Sequence, residues 1–231
     1  MSSSTESAFK GAEPSTTRLV ATLGFAGLLS GLIIVTVFEA TRPAITAYKA
    51  EVLREAVFQV LPGIVKMQRL VMRDGQLAPK DKEEKDEEAV FGGYDGDGRL
   101  VGYAIPSAGP GFQDTISLLY GYLPRQRKVV GLEILQSRET PGLGDKIYKD
   151  ADFAANFDSL AVDPEIVAVK KGTKEAPNQV DAITGATISS KAVVRIINEG
   201  NERWLERLPD PGKAPAYKAE TSEGNKGGIA R

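Results

Sequence analysis

"AVFGGYDGDGRLVGYAIP", residues 89 to 106, sets two short runs of aromatic and branched side chains on either side of an Asp-Gly-Asp-Gly turn. Asp-Gly is the chemistry of a tight hairpin, because Gly accepts the positive φ that such turns demand. The stretch therefore reads as two antiparallel strands. "TISLLYGYLP" (115–124) and "KVVGLEILQS" (128–137) continue the pattern, and "IVKMQRLVM" (64–72) precedes it, so an antiparallel sheet is expected. Asp95 and Asp97 are spaced as at the start of a calcium loop, but the third oxygen ligand and the distal Glu are missing, and no metal site is expected.

Downstream, roughly Ile188 to Leu208 carries Val193, Ile197, Trp204 and Leu208 on one helical face, broadened by Val194, Ile196 and Leu205. A helix packed on the sheet makes the expected fold class α+β.

Upstream, "LVATLGFAGLLSGLIIVTVF" (19–38) is an uncharged apolar run closed by Arg18 and by Glu39 and Arg42. At about 1.5 Å per residue it is roughly 30 Å long, the thickness of a bilayer core. A single transmembrane helix is expected. The run is too long for a signal peptide, and Phe38 and Glu39 stand where small cleavage-site residues would be needed. Lys10 and Arg18 before the span balance Arg42, Lys49 and Arg54 after it, so charge does not orient it. Gly27 and Gly31 leave a shallow strip where another helix could approach.

The expected organisation is a disordered tail (1–17), the membrane helix (18–39), a linking helix (40–62), one globular domain (63–208) and a second disordered tail (209–231). The linking helix would start at Pro43 and place Ile45, Tyr48, Val52, Ala56 and Val60 near one face. "PKDKEEKDEEA" (79–89) mixes both charges and reads as a solvated loop.

The 231 residues contain no Cys and no His, which excludes c-type haem, Cys-ligated iron-sulfur clusters, usual structural zinc sites and Ser-His-Asp or Cys-His catalysis. Redox work would need an organic cofactor. With 29 Lys and Arg against 31 Asp and Glu, nothing draws the chain toward nucleic acid.

Two motifs bear chemistry. In "DAITGATISS" (181–190), Thr187 stands at the start of the last helix, where free amides favour a negative group. Gly185 and Ala186 are too small to screen its hydroxyl. Thr184, Thr187, Ser189 and Ser190 are also ordinary capping residues, so this stretch alone leaves cap and attachment point open. In "ETPGLGDKI" (139–147), Pro141 biases Thr140 toward extended backbone, Gly142 and Gly144 let main chain approach a flat ring, and Leu143 could cover its face.

Together, D-x-x-T-G-A-T and E-T-P-G-L-G resemble the FMN-binding domain family, and anchor, sheet and both motifs together resemble one branch of it over most of residues 19 to 208. Within that family the chain is similar to the branch supplying the G subunit of Rnf electron-transport complexes, with the C subunit of the sodium-pumping NADH:quinone oxidoreductase as a close relative. The resemblance implies covalent FMN, joined by a flavin transferase through a phosphoester to Thr187. Thr184, Gly185 and Ala186 would shape the phosphate end, Asp181 would mark the site for the transferase, and Glu139, Thr140, Pro141, Gly142 and Leu143 would lie at the ring. It also implies a non-catalytic, electron-carrying subunit of a translocase linking ferredoxin and NAD. Its partners would be the membrane and iron-sulfur subunits of that complex, and its domain would sit on the periplasmic side of the bacterial inner membrane. Gln136 stands near where many relatives carry His, which puts an imidazole role in doubt.

Overall fold

The computed structural model describes residues 15–73, 75–80 and 88–218. Residues 1–14 of the expected N-terminal tail, 81–87 of the charged loop and 219–231 of the C-terminal tail lie outside the described residues. The chain divides into two units, Met1–Glu51 and Val52–Arg231.

Among its described residues the first unit is helix from Thr16 onward. Helix α1, Thr16–Val60, contains the apolar run, with mean hydropathy 2.2 over its most apolar window and none of that window buried against protein. Such a surface suits lipid. The helix continues through Pro43 instead of restarting there, so the expected division into a membrane helix and a separate linking helix is not seen in the backbone. Pro43 removes one hydrogen bond to the preceding turn, and the bonds on either side keep the ladder in register.

The second unit is built on strands β1 (Lys66–Arg73), β2 (Gln76–Pro79), β3 (Ala89–Tyr94), β4 (Leu100–Pro110), β5 (Thr115–Leu123), β6 (Lys128–Gln136) and β7 (Leu160–Ala161). They form one antiparallel sheet in the order β2-β1-β3-β4-β5-β6-β7. The five long strands are the ones expected from the runs of aromatic and branched residues. Asp95 makes the β3–β4 turn, its carboxylate accepting from the amides of Asp97 at 3.0 Å and Arg99 at 2.9 Å. A short parallel pair, β8 (Val167–Lys170) and β9 (Gln179–Ala182), stands apart and leads into α3, Thr187–Trp204. A 3-10 turn, Gly144–Tyr148, and helix α2, Ala151–Ala155, connect β6 to β7.

Alternation along the strands gives the sheet two buried faces. On one, Tyr94, Tyr103, Ile105, Leu118 and Tyr120 pack with Val193, Ile197 and Trp204 of α3, together with Phe153 and Phe157. The opposite face receives the end of α1: Val57, Val60, Leu61 and Ile64 lie against Phe91, Ala104 and Leu119. Four glycines make this second contact close. A Cβ on Gly93 would lie 2.8 Å from Leu61, one on Gly102 would lie 3.1 Å from Leu61, one on Gly131 would lie 2.7 Å from Val60, and one on Gly121 would overlap the Val60 carbonyl oxygen. Gly93 pairs with Gly102 and Gly121 with Gly131, so the glycines line a shallow trough across four strands.

The C-terminal end corrects one expectation. Residues 209–218 run over the first face rather than leaving it. Tyr103 donates to the Pro209 carbonyl at 2.9 Å and Tyr94 to the Pro215 carbonyl at 3.1 Å, while Tyr217 meets Tyr94 edge to face at 5.6 Å. Low apolar content hid this strap because its carbonyls, which carry no sequence signal, satisfy hydroxyls that burial would otherwise strand. Replacing Tyr217 with Ala is expected to lower unfolding free energy by about 1–2 kcal/mol, read from the denaturant midpoint, through the aromatic pair and the Lys66 ammonium above its ring.

Candidate functional site

The two motifs meet at the N-terminus of α3. Between β9 and α3, the amide of Ala186 donates to the Ile183 carbonyl at 3.0 Å, closing a turn whose third position is Gly185 at φ +83°. Only Gly adopts that conformation without strain. Ser190, fully buried, staples the turn: its hydroxyl accepts from the Ile183 amide at 3.0 Å and donates to the Ala186 carbonyl at 2.9 Å.

This arrangement takes the capping duty away from Thr187. The capping position is Ala186, which offers no side-chain oxygen, and Thr187 is the first helical residue. Its side chain is exposed and makes no hydrogen bond among the described residues. Thr184 and Gly185 are exposed beside it, and Ala186 is buried beneath. A free hydroxyl therefore projects next to first-turn amides that have no partner in the helix, the usual setting for a phosphate.

The other loop leaves the end of β6. Thr140 accepts through its carbonyl from the amides of Leu143 at 3.2 Å and Asp145 at 3.4 Å, and Gly142 takes φ +78° at the tip. Pro141, Gly142 and Leu143 face solvent, Leu143 being half exposed. A Cβ on Gly185 would lie 3.9 Å from Leu143, so the tip of one motif lies close to the turn of the other. Ile188, next to Thr187, and Phe112, whose amide donates to Glu139, are also exposed.

Glu139 and Asp181 occupy places the motifs do not reveal. Glu139 is buried, and its carboxylate accepts from Ser189 Oγ at 2.6 Å and from the amides of Phe112 at 2.9 Å and Gln113 at 3.1 Å. It joins three segments and has no open face toward solvent. Thr140 is similarly engaged, its hydroxyl donating to Gln113 Oε1 at 3.0 Å. Asp181 faces the other side of β9, where its carboxylate accepts from the Gly172 amide at 3.0 Å at the rim of a recess of about 230 Å³. Phe112, Gln113 and the tie made by Ser189 carry no motif signal, because their part depends on the distant Glu139.

Burial acts to raise the pKa of Glu139, but the hydrogen bonds from Ser189 and from the backbone of Gln113, Phe112 and Asp114 outweigh it and hold the carboxyl below its ordinary value. A lowered folded pKa gives stability that is fully present above the unfolded value near 4.5 and is lost as the pH falls through the folded one. Chemical denaturation at stepped pH is expected to show a loss of stability on acidification below about pH 5 that Glu139→Gln lacks in this window.

The donor set fits a phosphate-bearing flat ring: free amides and an exposed hydroxyl at one end, an exposed apolar tip at the other. Comparison with known proteins agrees. The family model for the FMN-binding domain matches residues 111–202. The G subunit of the ion-translocating oxidoreductase complex of Haemophilus influenzae (strain 86-028NP) is 30% identical over 201 residues, covering 84% of this chain and 95% of that protein. The G subunit of the Na(+)-translocating ferredoxin:NAD(+) oxidoreductase complex of Acetobacterium woodii is 34% identical over 148 residues, covering 61% of this chain and 68% of that protein. Among solved structures, NqrC of Shewanella oneidensis superposes with a TM-score of 0.57 at 20% identity, over 70% of this chain and 98% of that one, which shows the shared fold.

Proposed function

The chain belongs to the family of G subunits of ion-translocating oxidoreductase complexes, and from that premise we propose that it carries FMN esterified to Thr187 and passes electrons within a complex linking ferredoxin and NAD. The single observation that carries the attachment is the state of Thr187: first residue of α3, exposed, relieved of capping by Ala186 and Ser190, and beside free amides. Esterification forms a bond from Thr187 Oγ1 to the FMN phosphorus as the bond to the donor's leaving group breaks, and the hydroxyl proton passes to a base of the flavin transferase. Bound FMN supplies reversible electron uptake that no side chain here provides.

The protein's own part is placement. The first-turn amides of α3 balance the phosphate charge, Gly185 and Ala186 keep the approach to Thr187 open, and Leu143 with Phe112 offers the ring an apolar surface. Asp181, spent on the Gly172 turn, acts by shaping the segment a transferase must recognise rather than by touching the cofactor. Helix α1 holds the protein in the bacterial inner membrane beside the other membrane and iron-sulfur subunits, with the domain on the periplasmic side.

The test is mass spectrometry with in-gel fluorescence of the denatured full chain after co-expression with a flavin transferase. One FMN adduct on the peptide containing Thr187 is expected. An unmodified peptide from a chain that is otherwise fluorescent would move the attachment elsewhere, and a colourless chain would end the electron-carrying reading.

A further inference from the structure

Glu139 is the residue through which the two motifs are tied, and its surroundings are unusual for a carboxylate. It is 6% exposed, and Ser189, its 2.6 Å donor, is 3% exposed. The contact is tightly enclosed: a Cβ on Gly144 would lie 2.6 Å from Glu139 Oε2 and 2.9 Å from Ser189 Oγ. No Lys or Arg pairs with Glu139 among the described residues, since the neighbouring Arg138 pairs with Asp114 and Lys149 with Asp145. Its hydrogen-bond partners are neutral donors: one hydroxyl and the backbone amides at 112 and 113, with the backbone of Asp114 adding to them.

Hydrogen bonds of this kind stabilise an anion without cancelling its charge as a cation would, and a buried charge is weakly screened. A fixed negative charge therefore remains under the loop that ends in exposed Leu143. We propose that Glu139 is a positioning residue, a strut that locks the ring-side loop to the acceptor helix and sets an uncompensated negative charge beside the flavin held there, lowering its reduction potential. The inference rests on the functional reading above, and it concerns a group the sequence motif would place against the ring itself. Electron uptake adds negative charge to the ring system, so a nearby fixed anion disfavours it. The lock has a separate effect. With the loop tied to the first turn of α3, the spacing between Thr187 and Leu143 is defined, which fixes one orientation of a ring tethered at one end.

The test uses the full chain, co-expressed with a flavin transferase and purified in detergent, as wild type, Glu139→Gln and Ser189→Ala. Three quantities are read: the midpoint potential by spectroelectrochemical titration, the visible circular dichroism of the flavin, and the melting temperature. In Glu139→Gln, the side-chain carbonyl can still accept from the 112 and 113 amides and the NH2 can reach Ser189 Oγ. The expected result is a more positive potential with the dichroism largely kept. A potential equal to or below that of the wild type, with the dichroism intact, overturns the electrostatic role. Ser189→Ala keeps the charge and loses the tie, so a weakened flavin dichroism well below the melting temperature is expected. Should Glu139→Gln not fold, Ser189→Ala still decides the positioning role, because an unchanged dichroism overturns it. A wild-type chain without any flavin adduct would instead overturn the functional reading, and that is visible before a variant is compared.

Discussion

The Thr187→Val chain is expected to fold like the wild type and to carry no covalent flavin, a fall from one FMN per chain to none in the denatured protein. Val matches Thr in shape, and at an exposed first helical position the change should fall within about 0.5 kcal/mol of stability, since no hydrogen bond is lost. What disappears is the single oxygen the ester needs. Thr115→Val is the control: Thr115 is exposed at the start of β5, outside both motifs, and its loss should leave the adduct in place. Fluorescent gels of the two variants, with melting curves alongside, separate a lost attachment point from a lost fold. A flavin that survives denaturation in Thr187→Val would place the bond on another residue.

Gly121→Val is expected to prevent the domain from folding. The added Cβ would overlap the carbonyl oxygen of Val60, backbone that cannot swing aside as a side-chain tip can, while the paired Gly131 already lies within 2.7 Å of Val60 for the same added atom. Overpacking of a buried contact typically costs about 1–3 kcal/mol, and a clash against backbone lies at or beyond the upper end of that range. Pulse proteolysis of membranes should find the domain degraded in this variant. Gly96→Ala is the control, because its Cβ meets nothing within 4 Å and stability should hold. Equal protease resistance of Gly121→Val and the wild type would mean that the end of α1 does not rest in the trough.

Composition and turns made the sheet legible: β3 through β6 are runs of aromatic and branched residues bounded by turn residues, and the Asp95 turn carries its own chemistry. The helical stripe of α3 was equally clear, because Val193, Ile197 and Trp204 repeat at helical spacing and all three are buried. The same strands carried glycines at 93, 102, 121 and 131 that read as punctuation, and their purpose emerges only when strand register brings them into line. Edge strand β2, the two-residue β7 and the parallel pair are too short to have a period. The strap at 209–218 was missed since it packs through backbone carbonyls and one tyrosine.

At the site, local spacing revealed the exposed hydroxyl of Thr187 and the tip at Leu143, both of which depend on neighbours in sequence. Glu139 was legible as part of a motif and not as the tie it is, because its partners come from β4–β5 and from α3, 26 to 50 positions away. Asp181 shows the same limit, since its partner Gly172 belongs to another turn.

The open setting of Leu143, half exposed at the tip of its loop, would be a poor receptor for a freely diffusing molecule. A ring fastened at Thr187, as proposed, would face that surface at an effective concentration on the order of millimolar. Contacts too weak to capture dissolved flavin would then suffice to keep it seated, and the proposed ester would let this domain leave one edge of its cofactor uncovered for electrons to enter and depart without losing it to the surrounding water.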